Sequence, residues 1–278
     1  MAHSVRLHQL LLPREHGAWG MLLVPLASGL ALGLLNSGAA APALWLALAL
    51  FALFLSRQPL EILLGTSLLK AQDAAQKRVL GVAVVLLWLA AAGAALAVAR
   101  TSALRGLAIV GGIAVACFVA QQVLARGGRA TRLLAQSAGA AALTGASAAA
   151  YVAATGRLER MAALLWAANW LFALNQIDYV HLRIQARAAS GAEKLLRARG
   201  FLLRELLLVG VLLGAWVAGL APALMLASFA PVLLRGALWV MRPAQPLRVR
   251  TVGFTELAQN IVFGALLVAA LVLSPPLR

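Results

Sequence analysis

Polar residues near the end of one long apolar segment are spaced so that they could perform acid–base or ligand-binding chemistry. Asn175, Asp178 and His181 recur every three residues, which places them on roughly one face of a helix. An acid inside an apolar segment is costly to hold in a bilayer, so it is a functional candidate by default. We expect Asp178 to act as a catalytic group or metal ligand and Asn175 to contact a substrate. The structural alternative is an ion pair between Asp178 and a nearby arginine.

A second polar group opens the first long apolar segment. It consists of Arg14, Glu15, His16 and Trp19. Histidine titrates near neutral pH, which suits an acid, a base or a ligand, so Glu15 and His16 are catalytic candidates. Arg14 and Trp19 are candidates for substrate binding. The alternative is a well-capped helix start, because Glu15 suits the positive end of a helix dipole and Trp19 suits a membrane interface.

A third polar group starts the last apolar segment. Glu256, Gln259 and Asn260 are spaced by three and four residues and share one helical stripe. We expect Gln259 and Asn260 to bind substrate, whereas Glu256 near a helix N-terminus is also ordinary helix-dipole chemistry. Arg235 lies about one or two turns inside the preceding segment and is a further candidate for substrate binding. A snorkelling arginine would have the same position.

Arginines beside two connections supply fixed positive charge for an anionic ligand. Arg57 and Glu61 are four residues apart, so a helical ion pair is expected between them. We assign Arg57 to substrate binding. Arg183 and Arg187 follow the sixth apolar segment. They are also assigned to substrate binding, because arginine can grip a phosphate with two parallel hydrogen bonds.

The composition predicts that a bundle of membrane helices positions these groups. Hydrophobic residues make up 63% of the 278 residues and charged residues 12%, and a soluble domain of this kind would expose large apolar patches. We predict an all-α, polytopic transmembrane bundle of about nine helices, forming one domain over residues 1–278, with the lipid bilayer as its partner. The predicted segments are 17–35, 41–56, 79–99, 104–124, 133–155, 161–180, 201–219, 222–241 and 254–274.

Proline and glycine patterns add detail to this bundle. Pro59 predicts a break after the second helix, and the stretch 58–69 is then a candidate for an interfacial segment. Pairs of glycines four residues apart predict close helix contacts in two places. These pairs are Gly29 with Gly33 and Gly210 with Gly214.

The net charge of +16 is explained by membrane topology rather than by nucleic-acid binding. The basic residues lie between apolar segments instead of along one soluble face, and positive connections stay in the cytoplasm. Of the 24 lysines and arginines, those in the opposite connections are Arg100, Arg105, Arg157, Arg160 and Arg278. This asymmetry predicts that the N-terminus is inside and the C-terminus outside.

Two runs of the chain resemble one known family. The chain reads LPREHGAW over residues 12–19 and YVHLRIQAR over residues 179–187. Both runs are similar to those of the YwiC-like family of bacterial membrane proteins, whose size and hydropathy also match along most of the chain. The resemblance implies a multi-pass protein of the bacterial inner membrane and does not imply a reaction.

The layout also resembles, more distantly, that of the UbiA-type prenyltransferases. Those enzymes have about nine helices and carry magnesium–diphosphate motifs in the connections after the second and sixth, which are long and basic here. The resemblance implies an enzyme acting on a phosphorylated lipid, with Mg²⁺ held by Asp178, Glu61 or Glu256. The NDxxD and DxxxD patterns of that family are missing. The alternative is a non-enzymatic protein, a transporter or membrane assembly factor, in which the same residues pair structurally.

Both hypotheses are compatible with a polar pocket on the cytoplasmic half of the bundle. We expect His16, Asn175, Asp178, Glu256 and Asn260 to line it, because each lies near an inner helix end beside other polar groups. The outer halves of the segments are nearly free of ionisable groups, which argues against a charged channel through the membrane. The sequence names no protein partner.

The charge distribution predicts on which side the C-terminus lies. A reporter fused at residue 278 should give a periplasmic signal, because nine spans carry a chain that starts in the cytoplasm to the other side. Alkaline phosphatase and green fluorescent protein fusions measure this, with a fusion after Arg242, in a basic connection, as the cytoplasmic control. A cytoplasmic signal at residue 278 would mean that the number of spans is even.

Overall fold

The computed structural model describes residues 10–12, 16–37, 40–65, 69, 71, 73–128, 130–187, 189–242 and 249–274, and no strand occurs in these ranges. A helix occupies each predicted segment, with α5 and α6 together in the fifth, so the prediction of an all-helical bundle is confirmed. The helices are α1 (His16–Ser37), α2 (Ala40–Leu63), α3 (Ala74–Ala99), α4 (Leu104–Ala125), α5 (Arg132–Thr144), α6 (Ala146–Thr155), α7 (Arg160–Gln185), α8 (Gly191–Val217), α9 (Leu224–Met241) and α10 (Val249–Leu273).

Most of these helices have the length and composition of membrane spans. Among the described residues, eight helical stretches are long and apolar enough to cross a bilayer, and α5 and α6 count as one because only Gly145 separates them. The remaining helix, α7, has 26 residues, which is sufficient length, but its amides, acid and histidine lower its hydropathy. The protein is therefore a multi-pass helical membrane protein whose least apolar long helix carries the Asp178 group.

Helix α7 is accommodated in the bundle by hydrogen bonds to its neighbours. Asn169 is buried and donates to the carbonyl oxygen of Leu165 at 2.8 Å and to the hydroxyl of Ser28 on α1 at 3.4 Å. The indole nitrogen of Trp166 donates to the carbonyl oxygen of Ala141 on α5 at 2.8 Å. A bilayer core offers no water, so these polar groups must find partners inside the protein.

Small residues hold α1 against α6. Every residue of α6 is buried except Thr155. A Cβ built on Gly29 would overlap the backbone carbonyl of Ser147, and one on Gly33 would come within 2.6 Å of the Cβ of Ala154. The first glycine pair is therefore a close-packing site, as predicted. The prediction for the second pair, Gly210 and Gly214, is wrong, because no atom of the described residues lies within 4 Å of the Cβ positions there.

The predicted break at Pro59 is also wrong, because α2 continues through this residue to Leu63. Proline removes one helical hydrogen bond, and neighbouring helices and serine side chains can compensate for this in membrane helices. Ser56 donates to the carbonyl oxygen of Leu53 at 2.7 Å and accepts from the indole nitrogen of Trp88 on α3 at 3.0 Å. The contact with α3 lies within one turn of the proline.

Helices α3 and α4 lie at the periphery of the bundle. Helix α3 packs on α2, whereas α4 packs on α5 and α6. A cavity of about 610 Å³ between these elements is lined mainly by apolar side chains, among them Leu53, Trp88 and Phe118, with Arg57 also in its wall. An apolar lining gives water too few hydrogen-bond partners, so this space suits hydrocarbon rather than solvent.

The α1–α6 contact predicts opposite effects for two Gly→Ala substitutions. Gly29→Ala should lower the free energy of unfolding by about 1–3 kcal/mol, because the added methyl group forces backbones apart. Gly210→Ala is the matched control: its methyl group meets open space, and alanine should gain up to about 1 kcal/mol in a helix interior. Thermal unfolding in detergent measures both. Equal losses in the two variants would contradict this account of the packing.

Candidate functional site

The polar residues of α7 to α10 gather at one end of these four helices. This is the C-terminal end of α7 and α9 and the N-terminal end of α8 and α10, which the basic connections predict to be cytoplasmic. Four charged side chains, each within a helix, form ion pairs between neighbouring helices. These are Asp178 on α7, Arg204 on α8, Arg235 on α9 and Glu256 on α10.

Arg235 and Glu256 form a buried ion pair. The Nη1 atom of Arg235 donates to Oε1 of Glu256, and the two side chains are only 12% and 7% exposed. The guanidinium carbon of Arg235 lies 3.9 Å from the ring centroid of Tyr179, so a cation–π contact with α7 adds to the pair. Each charge compensates the other in a region where either alone would be very costly.

Amide side chains connect this pair to α7 and α1. Asn260 donates to Oε1 of Gln176 at 2.8 Å and to the carbonyl oxygen of Glu256 at 3.1 Å, and Gln176 donates to the same carbonyl at 3.0 Å. A Cβ on Gly20 would come within 2.8 Å of the amide nitrogen of Asn260. The start of α1 therefore lies directly against the polar stripe of α10.

Gln259 is partly buried, and its amide oxygen has no hydrogen-bond partner among the described residues.

A second polar set lies between α7 and α8. Arg204 donates to Oδ2 of Asp178 at 2.6 Å, and Asn175 donates to Oε1 of Glu205 at 2.7 Å. All four side chains line a cavity of about 150 Å³ whose other walls are mainly leucine. Glu205 was not predicted as a site residue, although an acid within the apolar run after Phe201 is the same signal that identified Asp178.

A third set combines basic and aromatic side chains. Arg183 donates to the hydroxyl of Tyr179 at 3.1 Å, and its guanidinium carbon lies 5.6 Å from the ring centroid of Trp239. Lys194 is buried, lies 4.1 Å from the same Trp239 ring and donates to the carbonyl oxygens of Trp239 and Arg242. A lysine suits these carbonyls because they belong to the negative end of the α9 dipole.

Several cations of this region have no acidic partner. The acids of the same helix ends are engaged: Asp178 pairs with Arg204, Glu193 with Arg197, and Glu256 with Arg235, while Glu205 accepts a hydrogen bond from an amide. Among the described residues, the cations without an ion pair here are Arg183, Arg187, Lys194, Arg199 and Arg242. We call these five residues the basic cluster.

The other candidates from the sequence lie elsewhere. Arg57 and Glu61 form the expected ion pair at 2.7 Å on α2. Trp19 packs on Phe51 and Phe54 of α2, with ring centroids 5.9 and 4.9 Å away. Arg14, Glu15 and the side chain of His16 lie outside the described residues.

The residues that we expected to line one cavity fall into two separate sets, which contact different sides of α7. Asn175 and Asp178 line the α7–α8 cavity. Glu256 and Asn260 instead belong to the hydrogen-bond network with Gln176 and Arg235, and the cavity lining does not include them. Adjacent residues of a helix point in different directions. Asn175 therefore faces the α7–α8 cavity, whereas Gln176 contacts Glu256 and Asn260 of α10.

The residues assigned to magnesium do not come together. Glu61, Asp178 and Glu256 each pair with a different arginine. In the described ranges, no three side chains of His, Cys, Asp or Glu come together in a way that could hold a metal ion. Magnesium bound to protein needs carboxylates that are accessible to it, usually beside substrate phosphates.

The buried pair predicts a large difference between two arginine substitutions. Arg235→Ala leaves Glu256 buried and unpaired, so the free energy of unfolding should fall by about 3–5 kcal/mol. Arg197→Ala removes an exposed pair with Glu193 and should cost less than about 1 kcal/mol. Unfolding in detergent measures both losses.

A double substitution separates charge from packing at this pair. Replacing Arg235 and Glu256 together by methionine should recover most of the lost stability, because apolar replacement of a buried pair is often neutral or stabilising. A double variant as unstable as Arg235→Ala would show that the loss comes from packing rather than from an uncompensated charge.

Comparison with known proteins identifies the family. Residues 12–154 match the family described as YwiC-like protein. The matched stretch runs from just before α1 almost to the end of α6, whereas the polar sets of α7 to α10 lie beyond it. No curated protein and no solved structure matches the chain. Because the match covers more than half of the 278 residues, the chain belongs to the YwiC-like family.

Proposed function

We propose that this protein binds an anionic, phosphorylated lipid at the cytoplasmic face of the bacterial inner membrane, with Arg183 contacting the headgroup. The observation that carries the proposal is the setting of Arg183. It lies against Tyr179 and Trp239, it is partly exposed, and it has no carboxylate partner among the described residues. A cation held in this way is available to an anion that approaches from outside.

The chemistry of the basic cluster favours a phosphate. Guanidinium offers five N–H donors in a planar fork, and one hydrogen bond to Tyr179 leaves most of them for a ligand. Aromatic contacts hold the fork in one orientation, so less side-chain entropy is lost when the ligand binds. Lys194 lies against the same Trp239 ring as Arg183 and adds positive potential. Basic pockets between membrane helices on the cytoplasmic side are typical of lipid headgroup sites.

The surface beside the basic cluster suits a lipid chain. Helix α8 begins with the basic residues and continues into leucines that the bundle leaves uncovered. Leu203, Leu206 and Leu207 are each about two-thirds exposed, at 66%, 69% and 66%. A lipid with its phosphate at the start of α8 can therefore lay its hydrocarbon chain along the same helix.

Lipid binding is favoured over magnesium-dependent prenyl transfer. The acids that would hold magnesium each pair with an arginine, and no three of the described His, Cys, Asp or Glu side chains come together to hold a metal. The basic cluster, by contrast, supplies positive charge for a headgroup. The bound lipid would be a substrate in an enzyme, or a cargo or regulator in a transporter or assembly factor. All three share the headgroup contact.

Ligand-induced thermal stabilisation in detergent tests the headgroup contact. Isoprenyl diphosphates and phosphatidylglycerol should raise the melting temperature of the unmodified protein, equally with and without magnesium. Arg183→Ala should weaken binding about tenfold to a hundredfold, since one charged hydrogen-bond contact is worth about 1.5–3 kcal/mol. Arg199→Ala, an exposed cation on α8, is the matched control and should lose less than about fivefold.

The outcomes distinguish the hypotheses. If no phosphorylated lipid stabilises the unmodified protein, the lipid-binding function is excluded and the same residues serve structure alone. If Arg183→Ala and Arg199→Ala weaken binding equally, the attraction is a general effect of positive charge. A stabilisation that requires magnesium, and that Asp178→Asn abolishes, would return support to the prenyltransferase hypothesis.

A further inference from the structure

Glu205 is a partly buried acid in the membrane-spanning helix α8, and only part of its hydrogen-bonding capacity is used. Its Oε1 atom accepts from the amide nitrogen of Asn175 at 2.7 Å. Its Oε2 atom is buried and has no hydrogen-bond partner among the described residues. On the α9 side, a Cβ placed on Gly236 would lie 2.9 Å from Oε1, so the backbone of α9 closes over the carboxyl group.

Asn175, which donates to Glu205, also carries an oxygen atom that accepts no hydrogen bond from the described residues. Asn175 is only 6% exposed, and its Oδ1 atom is also buried without a hydrogen-bond partner among the described residues. An ionised carboxylate and an amide oxygen are both acceptors, so they cannot satisfy each other. A protonated carboxylic acid can, because its O–H donates to the amide oxygen while its other oxygen accepts from the amide nitrogen. One proton on Oε2 therefore satisfies both atoms that lack a partner.

The charges around Glu205 also favour the neutral acid. Arg204 on its own helix pairs with Asp178 of α7, and Arg235 of α9 pairs with Glu256 of α10. Each nearby arginine is thus already neutralised by another acid. An ionised Glu205 would be an uncompensated negative charge in a region of low dielectric, which is expensive.

We infer that Glu205 is a proton-binding site: its carboxyl group carries a proton that is hydrogen-bonded to Oδ1 of Asn175. Release of this proton makes Glu205 a competitor of Glu256 for Arg235. The ligand is a proton, and the site is independent of the lipid contact at Arg183.

The surroundings provide a route for the proton and a response to its loss. The cavity between α7 and α8 contains Asn175 and Glu205 together with Asp178 and Arg204, and the Arg204 side chain is 50% exposed. The proton can therefore pass to water at the cavity mouth, leaving a carboxylate. The Nε and Nη2 atoms of Arg235 have no hydrogen-bond partner among the described residues, so they are available to turn toward that carboxylate. The proton thus controls which acid Arg235 binds.

Infrared difference spectroscopy of the purified protein during a pH titration tests this site. The carbonyl stretch of a protonated carboxylic acid is resolved from the carboxylate bands and shifts in D₂O. The unmodified protein should show such a band at neutral pH and lose it on alkalinisation. Glu205→Gln should lack the band, and its amide can keep paired hydrogen bonds with Asn175, so the fold should be retained. Glu193→Gln, an exposed acid of the same helix, should leave the band unchanged.

A second variant keeps the test decisive if Glu205→Gln does not fold. Asn175→Leu removes the amide and leaves the acid, so the carbonyl band should move to the higher frequency of a weakly hydrogen-bonded acid. A band that is unaffected by both substitutions, or that disappears instead in Glu256→Gln, would overturn the assignment. The absence of any protonated-acid band in the unmodified protein at neutral pH would overturn it as well.

Discussion

The ion pair between Arg235 and Glu256 fixes the polar end of the bundle, because lipid cannot replace either partner. Arg235 stacks on Tyr179 of α7, and Glu256 presents its backbone carbonyl to Gln176 and Asn260. Three helices therefore meet at one pair of charges. Displacing any of them would leave a charge or an amide buried and unpaired, and that penalty is larger than the net gain from most single contacts.

The two halves of the chain are stabilised by different forces. Helices α1 to α6 rely on close contact between small residues, with Gly29 and Gly33 set against the alanine-rich face of α6. Helices α7 to α10 share an apolar core, in which Phe172 stacks on Phe263, and add polar bonds between elements. The family match covers the first half, so the family relationship is carried by the closely packed helices and the opening motif. The candidate chemistry lies in the other half.

Sequence patterns correctly predicted the features whose physical cause lies within a single helix. Apolar length located the membrane helices, and a spacing of four predicted the Arg57–Glu61 pair. Partners across helices could not be predicted, because which arginine meets Asp178 depends on how α7 and α8 pack. Pro59 misled because a membrane helix can accommodate a proline, and α2 continues through it to Leu63.

The low hydropathy of α7 has a consequence for how the protein is made. Among the described helices of 18 or more residues, α7 is the one whose composition does not qualify it as a membrane span. Partners for its polar end, such as Arg204, Glu205 and Asn260, are encoded after it and leave the ribosome later. A single helix bearing an acid and several amides partitions poorly into a bilayer. Stable insertion of α7 is therefore coupled to synthesis of the three helices that follow, and a chain truncated after Gln185 should leave α7 outside the membrane core.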